Sequence, residues 1–369
     1  MSLFHRHKIN SQTTHSNRLL IIYLSCLALP IAFTMSLSFG TVSIAFSDTL
    51  SAVLNLITTF GLSDQGETIT YQPTNLQTDL IIQQIRLPRS ILAAFVGALL
   101  GICGATTQGL FRNPLADPSL IGVTAGASAG AALAIFFAAN LTNLGGISGL
   151  GFVSIGAFVG GSIAVIAVYR LATTARGTSV ATMLLAGIAI AALAGSLSNI
   201  LEFFGNEEIL RRISLWRMGG LDGASYQRVA IVSLFGSAIL LILPRFSTAL
   251  NAMLLGESEA RHLGLSVQSI KIKLVLLVAA GVGISVALAG TIAFIGLVIP
   301  HIVRLLIGPD HRYLLPISAI GGATLLLLSD TIARTVLSPI ELPVGLITAI
   351  LGAPFFISLL RHRHEYDLR

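Results

Sequence analysis

Apolar residues occupy long blocks of this chain, and polar positions are gathered into short breaks between them. Ten blocks stand out, near residues 19–39, 90–109, 120–139, 152–169, 179–204, 229–244, 274–292, 294–307, 314–333 and 342–360. Most approach the ~20 apolar residues that a helix needs to cross a hydrocarbon layer ~30 Å thick. Charges, prolines and glycine–polar clusters fall in the breaks, where backbone leaving the hydrocarbon must find partners outside a helix. The pattern predicts an all-α integral membrane protein of about ten transmembrane helices. One boundary is less obvious, because no charge lies between Lys273 and Arg304. A single helix of about thirty residues would measure about 45 Å, too long for the layer. Gly290 and Thr291 supply the break that divides it into a seventh and an eighth span.

Composition strengthens this picture. The 369 residues are 54% hydrophobic and 10% charged, against about 45–50% and about 25% in a soluble domain. Sixteen acids and 22 bases are too few to coat a soluble surface of this size. The net charge of +6 therefore speaks to topology rather than to nucleic acid. With the N-terminus inside, 15 bases lie on the inner side and 7 on the outer, the latter being Arg86, Arg89, Arg211, Arg212, Arg217, Arg228 and Arg334. Merging the seventh and eighth spans would carry five inner arginines outside and erase that excess. The positive-inside rule thus favours both termini in the cytoplasm, with 1–18 and 361–369 as tails around a domain at 19–360. The first block is longer than a secretory h-region of about 7–15 residues and no A-x-A site follows, so it is expected to be retained as a span. Cys26 and Cys103 lie in apolar runs with no disulfide or zinc spacing, as small packing residues do. Glycines cluster inside spans, at 97, 101 and 104, at 126 and 130, at 156, 160 and 161, and at 281 and 283. Small residues let helices approach closely in lipid, so these predict a tight bundle.

Few residues offer chemistry. An ion-coupled carrier places Asp, Glu or Lys in mid-span, and here Glu202, Asp330 and Arg334 lie near span ends. Asp330 and Arg334 form an i,i+4 pair able to satisfy itself. Ser128 sits within the small-residue run Gly126–Gly130, yet His301 is the only histidine near a span to act as base, and no HExxH occurs. No catalytic residue and no metal site are assigned. A phosphate-cradling loop needs GxxxxGK followed by Ser or Thr, whereas the only lysines are Lys8, Lys271 and Lys273, none preceded by glycine. This chain binds no ATP or Mg of its own by that criterion, so any ATP-driven work falls to a separate subunit.

Against this background LLGESEARHLGL, residues 254–265, is an anomaly, with two glutamates, an arginine and a histidine within six positions. It falls between spans six and seven, on the cytoplasmic side of the predicted topology. Glu257 and Glu259 suit a helix N-terminus, Arg261 and His262 its C-terminus, and Gly264 a stop. Glu257, Ala260, Arg261 and Gly264 follow i, i+3, i+4, i+7 spacing on one face. A short helix for a partner's groove and an ordinary solvated loop both fit that spacing.

Six segments in order carry a resemblance: IRLPRS (85–90), QGLFRNPLADPSLIGVTAGA (108–127), LGESEARHLGL (255–265), ALAGTIAFIGLVIPHIVR (287–304), GPDHRYLLP (308–316) and ELPVGLITAILGAPFFISLL (341–360). Over about residues 80 to 360 the chain resembles the permease subunits of the FecCD family, importers of iron–siderophore, haem and cobalamin. The resemblance implies the type II ABC importer fold, with ten spans per subunit. It implies a second permease subunit, as homodimer or heterodimer, two ATP-binding subunits below, and a periplasmic substrate-binding protein above. The setting is the bacterial cytoplasmic membrane. In the family the loop after span six couples to the ATPase; here that is segment 253–270, with Leu255, Gly256, Glu257, Ala260, Arg261, Gly264 and Leu265 as contacts. Arg86 and Arg89 of RLPR, and Arg334 before ELP, match arginines offered to acidic residues of the binding protein. Arginine's planar fork suits carboxylates, although headgroup contact or a local pair such as Asp330–Arg334 serves as well. The cytoplasmic gate of a cobalamin-importing relative matches Asn113, Pro114 and Leu115, and the loop at Thr178 and Ser179, where Val180 and Ala181 replace hydroxyl residues. Asn113-Pro114 and Asp117-Pro118 are also turn signals in their own right. The implied cargo is haem or a ferric siderophore, with cobalamin as the alternative and an ion-coupled secondary transporter as a distant one.

Overall fold

The computed structural model describes residues 2–42, 44–51, 53, 76–138, 149–174 and 177–367. Arg176, the chain ends 1, 368 and 369, and the side chains of the two expected tails at 2–17 and 361–367 lie outside the described set. Among the described residues, the helices that organise the chain are α1 (Ser2–Ser38), α2 (Leu87–Leu110), α3 (Val123–Ala138), α4 (Gly149–Ala172), α5 (Val180–Phe204), α6 (Glu207–Arg217), α7 (Tyr226–Ile242), α8 (Ser247–Leu254), α9 (Glu257–His262), α10 (Val267–Ala289), α11 (Ile295–Ile307), α12 (His311–Thr335) and α13 (Val344–Asp367). A short turn of helix, Leu76–Leu80, and a π-helical turn, Ile81–Arg86, lead into α2. A two-residue antiparallel hairpin, β1 (Thr173–Thr174) with β2 (Gly177–Thr178), joins α4 to α5.

Among the described residues, seven helical runs are long and apolar enough to cross a membrane, at 18–38, 77–110, 151–172, 180–204, 226–254, 267–289 and 311–335. The other three expected spans are shorter apolar helices, Val123–Ala138, Ile295–Ile307 and Val344–Ser358. All ten expected blocks are helical, but α11, at 13 residues, reaches only about 20 Å. It is short because the chain before it is not helical. After Ala289, Gly290 turns at φ +67°, and residues 290–294 run irregularly to Phe294 at φ +69°. Such backbone is tolerated at membrane depth only against protein or a cavity. Here Gly220 N–H donates to Ala289 O at 2.9 Å, and Thr291, Ile292, Ala293 and Phe294 line a cavity. The break expected at Gly290–Thr291 is present.

α2 is the central helix, 83% of its apolar window being buried. Leu92, Val96, Leu99, Ile102 and Cys103 form its part of the core. It lies antiparallel to α12 at glycine contacts. A Cβ on Gly97 would stand 2.3 Å from Gly322 O, and one on Gly101 2.1 Å from Ser318 O. The same close approach holds α3 to α4, where a Cβ on Gly130 would meet Gly156 O at 2.1 Å. The clustered glycines are packing surfaces. Cys103 is buried beside Gly281 as expected, whereas Cys26 is exposed on α1. At one end of the α2–α12 pair Arg89 meets Asp330, and at the other Gly109 abuts His311. Twenty residues of helix separate those contacts, about 30 Å, one hydrocarbon thickness.

Candidate functional site

The polar dodecamer forms a helix of its own. α9 spans Glu257–His262 between Gly256 at φ +125° and Gly264 at φ +84°. A side chain at either glycine would meet no atom within 4 Å, so backbone conformation, not space, requires glycine there. Ala260 is fully buried, and its N–H bonds Gly256 O. The one-face pattern expected for Glu257, Ala260, Arg261 and Gly264 is therefore split by the fold. Ala260 points inward, and Glu257 Oε1 pairs with the buried Lys271 Nζ at 2.5 Å. Leu255 and Leu263 are 70% and 65% exposed, with Ser258, Glu259, Arg261, His262 and Gly264 also exposed and Leu265 half-buried. Leu263 escaped the periodicity analysis because its neighbours are polar.

On the α8 side the segment is fastened to the start of α12. Asn251 Oδ1 accepts from His311 N at 2.9 Å and lies 2.8 Å from His311 Nδ1, while Asn251 Nδ2 donates to Asp310 Oδ1 at 2.6 Å. Burial pushes the Asp310 carboxyl up, but the Arg312 N–H, the Asn251 amide and the charges of Arg312 and Arg18 win and hold it below its ordinary range. Gln108, at the end of α2, donates to Leu297 O at 3.1 Å and accepts from Arg304 at 3.4 Å.

The two expected gate elements lie on different connections. After α2, Asn113 Oδ1 accepts from Leu115 N at 3.0 Å, an Asx-turn that Pro114 completes. Asp117 then caps the Pro118–Ile121 turn by accepting from Ser119 N at 2.8 Å. Thr178 is buried in β2, bonded to Thr173 Oγ1 at 2.9 Å, and Ser179 is the exposed N-cap of α5, accepting from Thr182 N at 3.3 Å. Lys271 Nζ also donates to Thr178 O at 3.2 Å, and Gln268 Nε2 donates to Thr178 Oγ1 at 2.5 Å. Neither Lys271 nor Gln268 stood out in the sequence. They are distant from both partners along the chain, so no local pattern marks them.

The three arginines expected to face a binding protein are not free. Arg86, Arg89 and Arg334 are 3%, 7% and 3% exposed. Arg86 donates to Leu37 O at 2.7 Å, Ser38 O at 2.8 Å and Val42 O. Arg334 donates to Ser36 O and Ser36 Oγ, each at 3.0 Å, and to Phe39 O at 3.2 Å. The Ser36, Leu37 and Ser38 carbonyls end α1, and cations at a helix C-terminus satisfy both orphan acceptors and the dipole. Asp330 takes Arg89 Nη2 at 2.9 Å and Arg334 Nε at 3.0 Å, while Glu341 takes Arg89 Nη1 at 2.7 Å. The local Asp330–Arg334 pair is present, within a larger network. The hydrogen bonds of all three arginines are made inside the chain.

Two cavities, of about 460 and 220 Å³, share Ser119, Thr124 and Thr291. Gly187, Ile188 and Ala191 of α5 line the larger, and Val282, Val286 and Phe294 the smaller. Their walls mix small and apolar residues with polar ones, Ser128 and Arg217 in the larger and Asp117 in the smaller. Also outside the sequence expectations is α6, capped by Asn206 accepting from Ile209 N at 2.9 Å. The signal was Asn206 before Glu207 and Glu208, an N-cap with an acidic first turn.

Comparison with known proteins follows the same lines. The sequence model of the FecCD transport family matches residues 28–362. The hemin transport system permease protein HmuU of Yersinia pestis is 43% identical over 285 residues, 76% of this chain and 83% of that protein. The cobalamin import system permease protein BtuC of Halobacterium salinarum is 44% identical over 287 residues, 77% of this chain and 74% of that protein. A solved metal-chelate type ABC transporter in an inward-facing conformation superposes with a TM-score of 0.78 at 31% identity, covering 93% of this chain and 99% of that one.

Proposed function

This chain belongs to the FecCD transport family and is an ABC importer permease, and from that premise we propose that it carries an iron complex, haem or a ferric siderophore, across the bacterial cytoplasmic membrane. It works in a membrane with an ATPase and a binding protein, as the family implies. In our reading two permease copies or one and a homologue pair over two ATP-binding subunits, both termini lie in the cytoplasm, and the binding protein approaches the end built by α1, α2 and α12. There Arg86, Arg89 and Arg334 shape the docking face from within. Asn113, Pro114, Leu115, Thr178 and Ser179 form the cytoplasmic gate.

One observation carries the ATP-driven reading. A chain without a phosphate loop presents α9, a polar helix between two positive-φ glycines, with Leu255 and Leu263 exposed at its ends. Exposed leucines among charges suit a partner's groove rather than lipid or water. Haem is favoured by similarity to a hemin permease, and cobalamin is the competing cargo because a cobalamin permease matches as well. The test is uptake into proteoliposomes holding the permease, its ATPase and its binding protein, comparing haem, a ferric siderophore and cobalamin. ATP-dependent accumulation of haem or the ferric siderophore supports the reading. Accumulation of cobalamin alone overturns the cargo, and uptake that persists without the ATPase overturns the mechanism.

A further inference from the structure

Lys271 joins two elements that are separate in the sequence, α9 and the β hairpin. It sits in the first turns of α10, buried, with Glu257 of the coupling helix at 2.5 Å on one side and Thr178 O of the β hairpin at 3.2 Å on the other. Gln268, one turn earlier on the same face of α10, holds Thr178 twice, donating to its Oγ1 at 2.5 Å and accepting from its N–H at 3.2 Å. Desolvating an ammonium is costly, and one carboxylate already neutralises it. The second acceptor, a hairpin carbonyl, makes the lysine a bridge rather than half of a pair. Thr178 leads directly into Ser179, the N-cap of α5, and α5 lines the larger cavity through Gly187, Ile188 and Ala191. The other side of the coupling segment is fastened to α12 through Asn251. Polar contacts thus run without a break from α9 through α10 to the hairpin.

We propose that Lys271, supported by Gln268, is a positioning residue that relays movement of the ATPase-coupling helix to the gate hairpin and α5. This rests on α9 being the coupling helix. The bridge has a property that a simple ion pair lacks, since both ends use the same ammonium. Lys271→Arg keeps a donor for each acceptor. The swap Glu257→Lys with Lys271→Glu restores opposite charges, yet a carboxylate at 271 has no proton for Thr178 O.

The experiment uses the transporter assembled with its ATPase and binding protein in nanodiscs, in a Cys26→Ser background with Cys103 left buried. Spin labels at Ser258→Cys on α9 and Thr174→Cys on the hairpin report their separation with and without trapped ATP. With Lys271 in place the two labels move together and the distance is constant. In Lys271→Met it changes on ATP binding, while ATP turnover stays within about two-fold and haem delivered per ATP falls by about ten-fold or more. Lys271→Arg behaves as the parent, and the charge swap assembles but stays uncoupled. If Lys271→Met does not assemble, the Arg variant and the swap decide between bridge and pair. Constant distance in Lys271→Met, or a swap as well coupled as the Arg variant, overturns the relay. A parent chain that recruits no ATPase overturns the coupling reading and the relay with it. A parent that hydrolyses ATP without moving haem overturns only the cargo, because the label distances still test the relay.

Discussion

The two ends of the bundle bury charge in opposite styles. Around α1, α2 and α12, three arginines and the Asp330 and Glu341 carboxylates form one network whose acceptors also include the last carbonyls of α1. Around α9, α10 and the hairpin, one lysine meets one carboxylate and one carbonyl. The first arrangement is redundant. Each arginine has several partners, so losing one rotamer leaves the others in place. The second is a single ion-pair thread from α9 to α10, where Lys271 and Gln268 together hold the hairpin, with glycines of positive φ on both sides of α9. Redundancy suits an end that keeps its shape. A single thread suits an end that must transmit displacement. The arginines of RLPR are buried within the first end, whereas much of the polar dodecamer stays at the surface of the second.

The comparison breaks most visibly at Asp330. Asp330→Asn leaves Arg89 and Arg334 buried with reduced compensation, and breaking a buried pair costs about 3–5 kcal/mol. A large fall in melting temperature and in monodisperse yield from detergent is expected, and an unchanged melt would remove the idea of a rigid end. Next comes Gly256→Ala, which puts a Cβ in a backbone region open almost only to glycine, at about 1–3 kcal/mol. Its strain is local to the α9 entry, so the ATPase should co-purify less well while the bundle melts near the parent temperature. Leu263→Ser removes an exposed apolar contact and leaves the fold alone. It is expected to weaken ATPase binding by about ten-fold, the equivalent of about 1.4 kcal/mol; titration of labelled ATPase onto nanodiscs checks it. The smallest effect belongs to Glu208→Ala, which removes the exposed i,i+4 pair with Arg212 on α6. A change within about 0.5 kcal/mol is expected, and a larger loss in the same melt would show that α6 is held by its surface charges.

Much of this was legible before any coordinates. Long apolar blocks announce helices because hydrocarbon tolerates no unsatisfied backbone, and all ten predicted blocks are helical. The split after Ala289 followed from length and charge and is present at Gly290. The short helix at 257–262 was visible because its acids precede its bases, as the helix dipole favours. What was not legible was direction. The i, i+3, i+4, i+7 pattern put Ala260 on a contact face, yet a six-residue helix has one buried side and the small residue took it. Outer arginines suggested an acidic partner, but Arg89 meets Asp330 and Glu341, more than 240 residues away in sequence, Arg334 meets Asp330 one turn before it, and Arg86 meets backbone carbonyls. α6 went unpredicted because 11 residues of mixed polarity make too short a pattern beside the spans.

The sequence by itself determined the class, the number of apolar segments, the absence of an ATP-binding loop in this chain and the place of the polar helix between the sixth and seventh spans. Those depend on solvent preference and local spacing, which each residue carries wherever it is placed. Only the tertiary structure decided which cations are committed and which surface is free. Arg89 finds Asp330, and Lys271 joins Glu257 to Thr178, only because glycine contacts bring α2 against α12 and the start of α10 lies between α9 and the hairpin. A buried charge takes whatever partner packing brings within about 3 Å, and that partner has no signature in the local sequence.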